Sequence, residues 1–282
     1  MSSEEPVVHP GHVAVVTGAA SGIGYRLAQR FAREGMSVVM ADVEQPALEQ
    51  AAASLKSDGG VLPVLTDVSK LEQLHHLRDR TLEAFGSVQV VCNNAGVSVG
   101  SPAPIWEMPQ SDWDWVLGVN FWGILNGLRT FMPILVEQPA AHVVNTSSLV
   151  GVVTGHGGPY SVSKHASAAL TESLYFQLAE SYPNVGVSLL IPGGVRTNLA
   201  NAGRNRPPSD DGEMAGQRGG DESASIGALM ASGMDPIDVA GLVVDAIRTR
   251  RFYIMTRPNR NDAVRRRGHE ILDGGPPRHW MS

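Results

Sequence analysis

Short runs rich in Val and Ile recur along the chain, each followed by a longer stretch whose apolar residues share one helical face. Strands that are apolar on both faces must be covered on both, and a parallel sheet between two helical layers does this. The runs at 13–16, 37–41, 61–65, 88–92, 142–146, 185–191 and 252–255 are the expected strands. The expected helices are 23–33, 45–56, 70–85, 112–135, 160–181 and 236–249. In the first helix Leu27, Ala28 and Phe31 share one face, Arg26, Arg30 and Arg33 the other, and Gly35 provides the stop. Right-handed crossovers then predict an α/β fold, a doubly wound sheet of about seven parallel strands with helices on both faces. Its ligand site belongs at the carboxyl ends of the strands. A chain of 282 residues is expected to form one domain, 1–282.

The bulk properties exclude several roles. A formal charge of −6 gives no basic field for nucleic acid, despite the run Arg265-Arg266-Arg267. No stretch reaches the ~18 unbroken apolar residues of a membrane span. Residues Met1 to Pro10 carry Glu4 and Glu5 without an apolar segment, unlike a signal peptide, so a cytoplasmic location is expected. Cys92, the only cysteine, follows Val90 and Val91 and reads as a structural thiol in a buried strand. From 203 to 225 the chain reads GRNRPPSDDGEMAGQRGGDESAS, without periodicity, which suggests an excursion over the surface. A substrate lid around 198–230 and a tolerated insertion are both open readings of it.

Between the first strand and first helix stands Thr17-Gly18-Ala19-Ala20-Ser21-Gly22-Ile23-Gly24. Glycines let backbone approach a pyrophosphate closely, and a helix N-terminus offers free N–H groups and a positive dipole end. Asp42 ends the second strand 18 residues after Gly24, where a carboxylate can accept from ribose hydroxyls and repel a 2′-phosphate. Val43 follows it, with no Arg or Lys to hold such a phosphate. NAD is therefore expected in preference to NADP.

Tyr160 and Lys164 lie one turn apart at the start of a helix. A phenol with a pKa near ~10 shuttles protons poorly at neutral pH, and a neighbouring ammonium favours its phenolate. The pair is thus suited to general acid or base work on a ketone or alcohol. Asn145-Thr146-Ser147-Ser148 closes the fifth strand, where a hydroxyl can hold a substrate oxygen. Asn93-Asn94-Ala95-Gly96 ends the fourth, and Asn120 lies on the long helix beyond it.

With the glycine turn, Asp67-Val68, Asn94, Asn120, Tyr160, Lys164 and the run Ile191-Pro192-Gly193-Gly194-Val195-Arg196-Thr197 in this order, residues 11 to 255 resemble the single-domain branch of the short-chain dehydrogenases/reductases. The resemblance implies a Rossmann-type fold, a nicotinamide cofactor and no metal. It implies that Tyr160 moves the proton, that Lys164 holds the nicotinamide ribose and lowers the tyrosine pKa, and that Asn120 anchors a water leading from Lys164. Cofactor contacts would come from Gly18, Ser21, Gly22, Ile23, Gly24 and Asp42 at the turn, and from Asp67 and Val68 at the adenine. Asn94, Ala95 and Gly96, then Pro192, Gly193, Val195 and Thr197, would add the rest, the last two at the carboxamide. The substrate-polarising serine is ambiguous. The family's usual spacing of thirteen residues before the tyrosine selects Ser147, whereas alignment of the strand end selects Ser148. Alternate residues of a strand face opposite ways, and the strand-end rule is preferred, giving Ser148.

Other features have plainer readings. His75 and His76 are mid-helix surface residues, and His156 is a loop residue that could line a pocket. Trp106, Trp113, Trp115 and Trp122 suit helix packing, a pocket wall or a subunit contact. The tail at 257–282, ending near Trp280, is expected at an interface of a homo-oligomer, tetramer or dimer, as in related enzymes. Substrate contacts are expected from Val97, Ser98, Val99, Gly100, Leu149, Val150, Gly194 and residues 198–227, which carry no evident inward cation. An uncharged hydrophobic secondary alcohol or ketone, aromatic ones included, is the expected partner. The segments DWDWVLGVN and NLANAGRNRP are similar to those of bulky aryl-alcohol dehydrogenases within the family. The alternatives are an NADPH-dependent reductase of 3-oxoacyl thioesters and a non-catalytic dinucleotide sensor.

Overall fold

Valine-rich runs with no polar face become the middle of the sheet: all five residues of β1 (Val13–Thr17) are buried. The computed structural model describes residues 6–99, 103–155, 157–208, 232–257 and 261–280. Among these, β1 is joined by β2 (Ser37–Asp42), β3 (Val61–Leu65), β4 (Val90–Asn93), β5 (Ala141–Thr146), β6 (Val185–Ile191) and β7 (Tyr253–Met255). Every pairing is parallel, in the order β3-β2-β1-β4-β5-β6-β7. The chain winds outward from β1 to β3, then returns to β4 on the other side of β1. That reversal opens a crevice over the carboxyl ends of β1 and β4.

Helices α1 (Gly22–Arg33), α2 (Gln45–Ser54), α3 (Leu71–Phe85), α4 (Gln110–Leu117), α5 (Gly123–Leu135), α6 (Gly158–Ser181), α7 (Pro236–Thr249) and α8 (Asn261–Leu272) surround the sheet. Leu27 and Phe31 of α1, Leu48 of α2 and Val243 of α7 pack on one face. Leu74 and Leu77 of α3, Phe131 of α5 and Leu178 of α6 pack on the other. Gly35, at φ 80°, provides the left-handed turn that ends α1. None of the described helices is long and apolar enough to cross a membrane.

Several boundaries shift by a residue or two, and two of the differences bear on how the sheet and site are built. The fourth strand begins at Val90, and Gln89 before it adds its side chain to its backbone bonds, Oε1 accepting from Val13 N at 2.8 Å. The helix expected over 112–135 is broken: five residues of π-helix, Gly118–Trp122, separate α4 from α5. The wider turn carries Asn120 inward, fully buried, where it bonds Val97 beyond β4 and Ser163 of α6. α8 has no buried residue, while Trp280 N donates to Thr154 O (2.9 Å) and Thr154 Oγ1 to Arg278 O (2.6 Å). The tail therefore meets the loop between β5 and α6 of its own chain. Gly100, His156 and residues 209–231, which hold most of the expected lid, lie outside the described residues.

Candidate active site

The crevice is a cleft of about 770 Å³. Its floor depends on glycine. Gly18 and Gly22 adopt φ of 65° and 57°, and a Cβ on Gly24 would stand 2.1 Å from Gly18 O. Backbone thus lies against backbone where α1 begins. Ser21 sits at the N-cap without a capping bond from its side chain, leaving first-turn amides of α1 for a phosphate. Gly24→Ala is expected to cost about 1–3 kcal/mol of stability, because the obstructing atom is backbone and cannot swing aside. Thermal unfolding and NADH fluorescence titration should register lower stability and weaker dinucleotide binding together.

Thr17 fastens the two strand ends beneath the cleft. Its Oγ1 accepts from Asn94 N (2.9 Å) and Ala95 N (3.1 Å), while Asn94 Nδ2 donates to Thr17 O (3.0 Å). At the end of β2 the Asp42 carboxylate accepts from Ala20 N (3.0 Å) and Glu44 N (3.1 Å). Burial nevertheless raises its pKa. Asp67 accepts from Ser69 N (2.9 Å), and Val68 O accepts from Asn126 Nδ2 (3.2 Å), which holds the opposite wall. Beyond β6, Thr256 Oγ1 accepts from Gly193 N (2.9 Å), and the Thr197 methyl would lie 3.1 Å from a Cβ on Gly22. A glycine cradle, amides at a helix start and a strand-end acid fit a nicotinamide dinucleotide.

At the far end stand Tyr160, Lys164, Ser147 and Ser148. Ser148 has extended backbone, lines the cleft together with Tyr160 and acts on the phenol to lower its pKa. Ser147, facing the other way, donates to Lys164 O at 2.7 Å. Lys164 Nζ donates to Thr146 O (3.0 Å) and lies 5.8 Å from the Tyr160 ring centre. Burial draws the lysine pKa down to about 8. Burial also raises the Tyr160 pKa, against the pull of Ser148. This direction differs from the expected ammonium-driven lowering. Desolvation disfavours the phenolate more than its surroundings stabilise it. Asn120 is pinned by Val97: its Oδ1 accepts from Val97 N (2.8 Å), and its Nδ2 donates to Val97 O (2.9 Å) and Ser163 Oγ (3.0 Å).

Of the expected catalytic and cofactor-binding residues, all line the cleft except Gly24 and Asn120, which stand behind its wall. Of the expected substrate contacts Val97 lines it, whereas Ser98, Val99, Leu149, Val150 and Gly194 do not. One wall comes from a stretch expected to supply substrate contacts. Residues 199–206, within the expected 198–227, form a strap that lines the cleft. Its Leu199 and Ala202 join Val97, Trp115, Val119 and Tyr160 in an apolar cluster. The strap also brings in two cations: Arg204 pairs with Glu44 at 2.5 Å, and Arg206 pairs with buried Asp112 and lies over Trp115. The expectation of no inward cation is thereby corrected. Both charges are taken up by acids distant in sequence. Trp115 lines the cleft, whereas Trp106 is exposed.

Residues 12–207 match the family model described as short chain dehydrogenase. The chain is 39% identical to 1-deoxy-11-beta-hydroxypentalenate dehydrogenase of Streptomyces exfoliatus, over 86% of its own length and 82% of the relative's. It is 32% identical to C alpha-dehydrogenase of a Sphingobium species, over 94% and 87%. Among solved structures, a short chain dehydrogenase/reductase from Burkholderia phymatum in complex with NAD superposes with a TM-score of 0.90. That match is 40% identical and covers 95% of this chain and 97% of that one.

Proposed function

The chain belongs to the short-chain dehydrogenase/reductase family of oxidoreductases acting on CH–OH groups, and we propose that it interconverts a bulky, uncharged secondary alcohol and its ketone with NAD. The observation that carries this reading is the apolar chamber formed by Val97, Trp115, Val119, Leu199 and Ala202 directly beside Tyr160. Such walls reward burial of hydrocarbon and leave a charged substrate unsolvated. Bound NAD would supply the chemistry of hydride acceptance, and its reduced form that of hydride donation. Ser148, which lines the cleft with Tyr160, would hold the substrate oxygen. Tyr160 would take the alcohol proton during oxidation or return it during reduction. Lys164 would keep an ammonium under the pair, and Asn120 would hold Val97 and the adjoining wall.

Asp42 at the end of β2 supports NAD over NADP. A homo-oligomer belongs to the same reading, supported by the exposed Tyr175 and Phe176 on α6. The test is a screen of ketones and secondary alcohols of increasing bulk with both cofactors. Turnover should rise with apolar bulk and favour NAD(H). Preference for NADPH, or turnover confined to acyl thioesters, would overturn the proposal.

A further inference from the structure

At the adenosine end of the cleft, two acids and one guanidinium converge from segments 160 positions apart. Glu44, two residues beyond Asp42, turns its carboxylate to the strap. Its Oε1 accepts from Arg204 NH2 (2.5 Å) and Asn205 Nδ2 (2.9 Å), and its Oε2 from Arg204 Nε (3.2 Å). The remaining guanidinium nitrogen, NH1, donates to Asn201 O (2.8 Å) and lies 3.4 Å from Asn198 O. Arg204 is thus anchored to its own strap by one nitrogen. Its other edge, Nε with NH2, faces the end of β2, and this is the edge that grips a carboxylate or phosphate bidentately. Glu44 fills it. The glutamate also acts on its neighbour, since its charge adds to the forces raising the Asp42 pKa.

We infer that Glu44 is a second determinant of cofactor choice, masking on Arg204 a ready-made binding edge for a ribose 2′-phosphate. The inference rests on the proposed placement of NAD in this cleft. A 2′-phosphate arriving at the end of β2 meets two carboxylates and a cation whose binding edge is already taken. With Glu44 neutral, one repulsion disappears and the edge of Arg204 becomes available, still held in place through NH1. Glutamine at this position retains an acceptor for Asn205. The ion pair is partly exposed, so its loss leaves folding intact.

Equilibrium binding of NADPH and NADH, followed by fluorescence, tests this in the unsubstituted chain, Glu44→Gln, Arg204→Leu and the double variant. Glu44→Gln should tighten NADPH roughly tenfold while changing NADH far less. Arg204→Leu alone should bind NADPH no better than the unsubstituted chain, and the double variant should lose the gain. A gain that survives in the double variant would mean that only bulk charge matters, and would overturn the inference. Absence of any gain in Glu44→Gln overturns it as well. Tighter binding of NADPH than NADH by the unsubstituted chain would sink the NAD reading and this inference with it. That failure is told apart because it needs no substitution.

Discussion

Tyr160→Phe is expected to lower kcat by about 10²–10⁴-fold while leaving NADH binding unchanged, because it removes the hydroxyl that gives and takes the proton. The ring itself stays, so the chamber it shares with Val97 and Leu199 keeps its shape. The serines give the sharper contrast. Ser148→Ala removes the hydroxyl that shares the cleft with Tyr160 and should cost about 10²–10³-fold in kcat, the scale of one oriented donor. Ser147→Ala should cost much less, since its hydroxyl is already committed to Lys164 O. That carbonyl keeps a second donor in Ser167 Oγ at 3.0 Å. Steady-state kinetics in both directions, with NADH titration of each variant, would check the set. A larger loss for Ser147→Ala would transfer the substrate contact to Ser147. The direction of the tyrosine shift adds a sign. Because burial raises the Tyr160 pKa, alcohol oxidation should accelerate toward alkaline pH as the phenol ionises, and ketone reduction should slow over the same range.

What could be seen in the sequence was what local chemistry dictates. Runs such as VAVVT at β1 are apolar on both sides and can only be interior strands, so the sheet and its switch point follow. The glycine turn and Asp42 were legible for the same reason: a close backbone approach and a strand-end acid are local requirements. The π turn at Asn120 was not legible, because apolar spacing continues on both sides and one extra residue leaves no mark in it. The strap was legible as a source of contacts, but its ion pairs were not. The partners of Arg204 and Arg206 are set only when the fold brings Glu44 and Asp112 to them. The spacing of Tyr160 and Lys164 likewise carries their proximity but not their burial, and burial decides the direction of both shifts.

The same distinction between proximity and burial makes His142 the site of the largest expected pH effect on stability. It lies on β5 between Val90 and Gly186, fully buried. Ser188 Oγ donates to Arg251 O (2.7 Å), so its oxygen is left to accept from His142 Nε2 at 2.8 Å. That assigns the ring proton to Nε2. Nδ1 has no hydrogen-bond partner among the described residues and faces Gly186, where a Cβ would stand 2.4 Å away. A second proton there would create a buried cation with no acceptor. Burial, assisted by the charge of Arg250, accordingly draws the pKa from 6.5 to about 3. The sign follows from linkage: below 6.5 the unfolded chain takes up a proton that the folded chain refuses. Stability should therefore hold above pH 6.5 and fall by about 1.4 kcal/mol per pH unit below it, approaching about 5 kcal/mol near pH 3. Denaturant titrations between pH 7.5 and 4 should show this slope, diminished by one proton in His142→Gln. The carboxylates contribute equally to both proteins, so the difference between them isolates His142. Parallel pH profiles for the two would show that the imidazole is protonated in the folded chain, against the geometry around Nδ1.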